Sequence, residues 1–492
     1  MAIRPILRRT VLIIAACLML LGILLGTIGN LSHKSYLASL LIAGLLTGLF
    51  FWLQRKPRKY LKSVERQKPA AICLLLTALC LLLNGTWVLA FHPVQAPDYQ
   101  TFFQAASDLA AGRSLSGKDY ISMFPHILGY AAFLSAFLRL FGERLVVAAL
   151  INVVLTTLSG VLLYVLSLKF AGKKAAFLVF LVWTVCPSKL LYNAMSLSEP
   201  FYTCLLLLFF LLVSETVDAH PGKKEAGFAV FTGLLSGLVL AMINAARPIG
   251  IIPIIAFLLW LLFLSDWRSL RNRKTTLVLF TCLLLLAYLA TGSLWKSWAA
   301  AHLEQTPPSV PGYNIYVGFN PETQGSYADE DMDLLQSRYF GEYDRDAEKA
   351  QQSMLESARI RIAQNKKSIP SLMIHKLGTL LGHDEGGAYY SRESLSDRAY
   401  SLWCIVSNIW YYLVVLLAVA GCLQKWKNPV GDSSLMIPLC LIGIILAQLL
   451  VEVAARYHYC LIPMMLLLAV PVLSYENRKD FHEERVCCEI RE

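Results

Sequence analysis

The sequence predicts an all-α polytopic membrane protein with about twelve transmembrane helices and two long outer loops bearing interfacial helices. Three observations predict it. Of 492 residues, 57% are hydrophobic and only 16% charged, whereas soluble domains carry about 25% charged residues. The apolar residues fall into repeated blocks of about 17 to 25, the length that crosses a hydrocarbon core. The blocks are continuous runs of Leu, Ile, Val and Ala without alternation. Since a chain in lipid must be helical or a closed barrel, such runs are helices.

The formal charge of +11 would suggest nucleic acid in a soluble chain. Here the basic residues sit in short patches between apolar blocks, where they set orientation. No motif for RNA or DNA is present, and no nucleic-acid partner is expected. The twelve cysteines are scattered, mostly inside apolar runs, and read as packing thiols. No pair has metal-ligand spacing, and Cys487-Cys488 is the one cluster.

Taken in order, "MAIRPILRRT" leads into a first span at 11–29. Its apolar run is too long for a signal peptide and lacks a small-residue cleavage site, so it reads as a retained anchor. A second span covers 37–53. Then "QRKPRKYLKSVERQK" (54–68) holds seven Lys or Arg against one Glu, the strongest cytoplasmic signal in the chain. A third span, 71–90, delivers Phe91 to the outer side. The next apolar segment, "FPHILGYAAFLSAFLRLFGE" (124–143), decides the topology. It begins with Pro125 and His126 and carries Arg139. Counted as a span it would put "KFAGKK" outside and invert every later loop. It therefore reads as a helix at or re-entering the outer interface.

Spans then follow at 145–168, 175–192, 199–213, 227–245, 249–264 and 275–292, with "KFAGKK", "HPGKKE" and "DWRSLRNRK" facing the cytoplasm. A long outer stretch covers 293–399, with a helix expected from Asp346 to Asn365 and an interfacial helix in "IPSLMIHKLGTLL". Long ordered loops are usually functional. Spans at 400–422, 433–452 and 458–474 close the membrane part. The expected units are 1–69 (two N-terminal spans and a basic loop), 70–292 (core, with first outer loop 91–144), 293–399, 400–475, and a cytoplasmic tail 476–492. Both termini are expected inside a plasma membrane. The halves show no repeat, which disfavours an inverted-repeat transporter.

An ionisable group at mid-membrane costs roughly 2.5–3.5 kcal/mol, so such groups inform when they share one side. On this topology Asp98, Lys189, Glu199, Arg247, Glu452, Arg456 and His458 all lie near outer ends of spans. That pattern implies one polar chamber opening outward. Asp98 follows Pro97 at the start of an amphipathic segment. It reads as a helix N-cap, as a general base for a substrate hydroxyl, or as both. Glu199 stands before Pro200, either as an N-terminal helix acid or as a ligand for a cation or for sugar hydroxyls. Arg247 sits in the break "NAARPIG" and Arg456 and His458 in "EVAARYHYC". Each is either snorkelling or clamping a phosphate. Lys189 and His126 are weaker candidates of the same kind. Asn314 and Asn320, in "YNIYVGFN", belong to loop structure or face a groove. "HDEGG" (383–387) offers three donors in a row, but without a second partner set it reads as a solvated loop.

"APDYQTFFQAASDLAAG" followed by "MFPHILGYAAFLSAFLRLFG" resembles the first outer loop of GT-C membrane glycosyltransferases. The nearest group is glycosyltransferase family 39, with its protein O-mannosyltransferases and lipid A aminoarabinose transferase. "SLSEPFY", "ARPIG", "YNIYVGFNPETQG" and "RYHYCLIP" resemble bacterial members in the same order. The resemblance covers roughly 70 to 475; the first two spans are extra. It implies transfer of a sugar from a polyprenyl-phosphate carrier to a glycan, lipid or protein acceptor on the outer face, with Asp98 as general base. Tyr99 replaces the second acid of the family's pair, and His126 stands where a second proline is usual. The donor phosphate is expected on Arg247, Arg456, His458 and Lys189, and the substrates on Tyr99, His126, Glu199, Asn314 and Asn320. No cofactor and no metal are expected, because a phosphate leaves as a stable anion and needs positive charge, not a proton. The alternatives are a transporter or lipid flippase, or a surface-polysaccharide ligase or polymerase using a diphosphate-linked carrier.

Overall fold

In the computed structural model, residues 3–30, 32–54, 64–218, 225–266, 270 and 273–474 are described. The basic loop at 55–63, most of "HPGKKE" and "DWRSLRNRK", and the tail with Cys487-Cys488 lie outside the described residues.

The chain is an all-α membrane protein. Its elements are α1 (Ile3–Gly29), α2 (Lys34–Gln54), α3 (Pro69–Ala90), α4 (Pro97–Ala110), α5 (Ile127–Phe141), α6 (Leu145–Ala171), α7 (Lys173–Thr184), α8 (Pro187–Asn193), α9 (Glu199–Asp218) and α10 (Glu225–Ala246). Then come α11 (Ile251–Leu264), α12 (Lys274–Leu303), α13 (Gly312–Gly318), α14 (Asp329–Ser337) and α15 (Ala347–Gln364). The last are α16 (Ile369–Leu381), α17 (Gly386–Tyr390), α18 (Asp397–Lys427), α19 (Met436–Leu450) and α20 (Leu461–Leu473). Among the described residues nine helices are long and apolar enough to cross a membrane. The pair α7–α8, bent by 55°, and the shorter apolar helices α11 and α20 match the remaining expected spans.

The bundle has two chemically different ends. At one end Lys169 pairs with Glu215 at 2.9 Å, Lys174 with Glu65, and Lys425 with Asp432 at 2.9 Å. There Arg8 donates to the Leu264 carbonyl at 2.7 Å and Arg9 to that of Trp426 at 3.3 Å. These basic groups satisfy helix C-terminal carbonyls, which otherwise have no partner. At the other end lie Asp98, Arg247 and Arg456.

α5 is, like α11 and α20, a shorter apolar helix, 15 residues long. Its first turns sit beside the second turn of α6, where the Tyr130 hydroxyl donates to Asn152 Oδ1 at 3.3 Å. Asn152 in turn donates to the Met195 carbonyl at 2.6 Å, beside Asp98's own segment. At the C-terminal part of α5, Arg139 donates to the Ala110 carbonyl of α4 at 3.1 Å. α4 and α5 thus lie side by side in the same direction at the Asp98 end, Phe102 against Tyr130 near their starts and Arg139 on Ala110 at their ends.

Two expectations are corrected. The helix expected at 275–292 continues to Leu303, since a helix that has left the lipid can carry Lys296 and His302 without cost. "YNIYVGF" is a short helix, not loop structure. The expected helix 346–365 is α15, with the Asp346 side chain accepting from the Lys349 N–H at 3.0 Å.

α16 packs against the last turns of α1. It lies against α1 so closely that a Cβ at Gly26 would overlap the Gly382 backbone, and one at Gly22 would overlap Leu381. Small residues permit such approach where lipid supplies no hydrophobic drive. Gly26→Val is expected to lower thermal stability by about 1–3 kcal/mol, the usual cost of overpacking. Gly44→Val, which faces open space, should leave the melting temperature unchanged in the same detergent.

Candidate active site

The first turn of α4 aims the acid. Pro97 occupies the first helical position, its fixed φ suited to the start of a helix. The N-cap is Ala96, so Asp98 is not the cap. Its carboxylate turns instead to Arg456, accepting from Nη2 at 2.5 Å. The Asp98 side chain is 42% exposed and that of Arg456 9%, so the pair forms the floor of an open site.

Arg456 comes from the break between α19 and α20, on a single tight turn, Ala455–His458. Three rings surround its guanidinium: Tyr99 at 5.5 Å, Tyr390 at 5.2 Å and Tyr457 at 5.5 Å. Ring faces attract a cation and replace part of its lost water. Arg247, at the end of α10, lies over the other side of the Tyr457 neighbourhood, 5.2 Å from that ring. It donates to Glu199 Oε1 at 2.8 Å, and Glu199 is fully buried. The Nε atoms of Arg247 and Arg456 are both buried and have no protein partner. Buried unpaired donors are costly and call for an explanation.

These groups border one cavity of about 110 Å³, lined among others by Asp98, His126, Arg247, Asn314, Glu452 and Arg456. Burial opposes ionisation of Asp98, but Arg456, with Arg247, outweighs it and holds the carboxyl below its ordinary value. Burial, with Arg247 and Arg456 adding to it, pushes His126 down to about 3, so its imidazole is neutral near pH 7. Glu452 goes the other way: burial raises it, against the pull of Arg456. A second groove of about 290 Å³ shares Phe124, His126 and Asn314 with the first and runs past Trp295, Lys296 and prolines 307, 308 and 311.

Of the residues singled out in the sequence, Asp98, His126, Arg247, Asn314 and Arg456 meet at the cavity. Tyr99 and Glu199 stand behind it, as supports of Arg456 and Arg247. Three lie elsewhere, which corrects their reading as ligands. Lys189 is buried in the bent span and donates to the Trp183 carbonyl at 2.5 Å. His458 bonds the Leu380 carbonyl through Nδ1 at 2.9 Å and Asp384 through Nε2 at 3.1 Å, so both ring nitrogens are used. Asn320 donates to Asp331 at 2.9 Å. All three are near the right end of the bundle but face away. "HDEGG" is likewise not a solvated loop: Asp384 is buried with His458 and Ser188, and Glu385 accepts from Tyr36 at 2.7 Å and Asn408 at 2.7 Å.

Sequence reading missed Lys376 and did not single out Tyr390 or Tyr457. Lys376 is fully buried on α16 and spends its ammonium on three backbone carbonyls: Gly318 at 2.8 Å, Leu449 at 2.8 Å and Val451 at 2.6 Å. Those carbonyls end α13 and α19, so the ammonium meets the negative ends of two helices. It fixes the strap that carries Glu452 and Arg456. Burial lowers the lysine from its ordinary value, and the nearby Glu452 charge opposes that. Lys376→Met is expected to leave three buried carbonyls unpaired and to cost several kcal/mol. Hydrogen exchange should rise at 449–456 in this variant while the basic end of the bundle keeps its protection.

No protein-family model matches the chain, and the search of curated proteins finds no match. Solved structures similar to it include two of an oligosaccharyltransferase from Archaeoglobus fulgidus. One is tethered to an acceptor peptide, with 12% identity and a TM-score of 0.47, covering 82% of this chain and 49% of that one. The other, AglB, is in complex with an inhibitory peptide and a dolichol-phosphate, with 11% identity and a TM-score of 0.44, covering 82% of this chain and 50% of that one. The chain thus spans about half the length of these structures.

Proposed function

We propose that the chain is a membrane glycosyltransferase of the GT-C type. It moves a sugar from a polyprenyl phosphate to a hydroxyl of a glycan, lipid or protein acceptor at the outer face of a plasma membrane, with both termini in the cytoplasm. The observation that carries this reading is the cavity that joins an acid, Asp98, to two guanidiniums, Arg247 and Arg456. A guanidinium holds phosphate by parallel hydrogen bonds. The family resemblance of the "APDYQ" and "RYHYC" segments points to the same chemistry.

The step balances as follows. The acceptor oxygen attacks the anomeric carbon from the face opposite the phosphate. A new C–O bond forms, the bond from carbon to phosphate oxygen breaks, and the configuration inverts. The electron pair leaves on the phosphate, where Arg247 and Arg456 stabilise it. The acceptor proton passes to Asp98 Oδ1, since Oδ2 is held by Arg456. A carboxylate of lowered basicity serves because the hydroxyl becomes acidic only as its oxygen bonds to carbon, so proton transfer comes late. A glycosidase-like carboxylate pair is not needed. The 290 Å³ groove next to the cavity offers space for the acceptor beside Asp98's site.

The two arginines also suit a diphosphate-linked carrier, and one assay separates the readings. Purified protein in nanodiscs is given a panel of labelled sugars on polyprenyl mono- and diphosphate, with a hydroxyl acceptor. Transfer from a monophosphate supports the proposal; transfer from diphosphates alone replaces it with the polymerase or ligase reading. Movement of a solute across proteoliposomes without any transfer would sink both.

A further inference from the structure

Glu452 is the first residue after Val451, on the strap between α19 and α20, and it lines the cavity beside Asp98. The backbone of this strap is held without its carboxyl. The Glu452 N–H donates to the Asn314 carbonyl at 2.8 Å and the Val453 N–H to that of Gly325 at 2.9 Å, while Lys376 takes the carbonyls of Leu449 and Val451. The carboxyl itself receives one contact, from the Tyr457 hydroxyl at 3.4 Å, too long to be a strong hydrogen bond.

The charges around it are otherwise matched. Arg456 is paired with Asp98 and Arg247 with Glu199. The Lys376 ammonium has three hydrogens and three carbonyl acceptors. Glu452 thus faces the cavity with no ion-pair partner among the described residues. An acid left without an ion pair is expensive. Four positions along the same strap, Arg456 faces the same cavity. A phosphate on Arg456 brings its sugar one bond away, so the ring hydroxyls are the part of the donor nearest Glu452.

We propose that Glu452 is a substrate-binding residue that accepts hydrogen bonds from hydroxyls of the donor's sugar and thereby sets which sugar is transferred. This rests on the phosphate reading of the site and adds the contact that reads the sugar. A site built to bond a hydroxyl rejects a ligand lacking it far better than an apolar wall does.

The test uses binding, not turnover. Full-length protein in nanodiscs is titrated with a short polyprenyl phosphate and with a panel of its hexosyl and pentosyl esters. Wild type is expected to bind at least one ester about tenfold tighter than the bare phosphate, which is the worth of one charged hydrogen bond. Glu452→Ala should lose that preference and keep the bare-phosphate affinity within about twofold. Glu452→Gln, which still accepts a hydrogen bond, should keep most of the preference. Arg247→Met should weaken bare phosphate and ester alike. The Glu452 variants should melt no lower than wild type, because an unpaired acid is removed. Preference retained in Glu452→Ala, no preference in wild type, or a clear fall in its melting temperature overturns the proposal and leaves the function reading standing. A wild type that binds no polyprenyl phosphate overturns both.

Discussion

Asp98→Asn is expected to lower the transfer rate by about 10²- to 10⁴-fold, the range a positioned general base supplies, while the donor's KM stays within a few-fold. The asparagine has nearly the shape of the acid and can still accept from Arg456 through its amide oxygen. It cannot take a proton. The loss therefore falls on kcat, as expected when an interaction made only in the transition state is removed. The wild-type rate should also stay level as pH falls from 7 through the ordinary carboxylate range. Asp98 is held below its usual value by Arg456 against the effect of burial. The acid limb, where the base becomes protonated and activity fails, lies correspondingly low. Rates measured with a polyprenyl-phosphate sugar from pH 7 down to 4 check both statements. An Asp98→Asn enzyme with normal kcat removes the acid from the mechanism.

Arg456→Met is expected to lose more than 100-fold in kcat/KM and to move that acid limb upward. Two functions should fail together, since the guanidinium holds Asp98 and, in the proposed reaction, faces the donor phosphate. Without its main cation, the Asp98 carboxyl is left to burial, which raises it, so protonation begins at a higher pH. Stability falls as well. Breaking a fully buried pair costs roughly 3–5 kcal/mol; here the cost is smaller, because Asp98 is 42% exposed and water screens it. Arg456→Lys should rescue little. The flat guanidinium lies among Tyr99, Tyr390 and Tyr457, and a lysine ammonium neither stacks nor forks. A pH profile that stays in place in Arg456→Met would show that the arginine does not control Asp98.

The spans were legible because bilayer length and charge placement are one-dimensional properties of a sequence. The decision on 124–143 rested on the same footing: loop charge had to stay consistent, and only a non-crossing helix allowed that. Asp98, Arg247 and Arg456 were legible as polar groups at one level. What could not be read was direction. Lys189 and His458 sit at the expected level, but a bent helix and a tight turn rotate them onto Trp183, Leu380 and Asp384. Lys376 was hidden for another reason. Its partners are main-chain carbonyls 58 to 75 residues away, and any residue type supplies a carbonyl. Glu452 carried a signal, an acid directly after an apolar run, and was counted in the cluster without being placed in the site.

The ion pair at the floor of the cavity also has a history in time. Asp98 and Arg456 are separated by 358 positions, and ribosomes add about 5–20 residues per second. The acid thus waits roughly 20 to 70 s for its cation during synthesis. Until the strap after α19 arrives, α4 lacks the partner that makes a covered Asp98 affordable, so it must remain hydrated at the membrane surface. The bundle is then mostly inserted before the site exists. Variants of the strap should accumulate as inserted, inactive protein with an open first loop, which limited proteolysis near 98–112 would reveal.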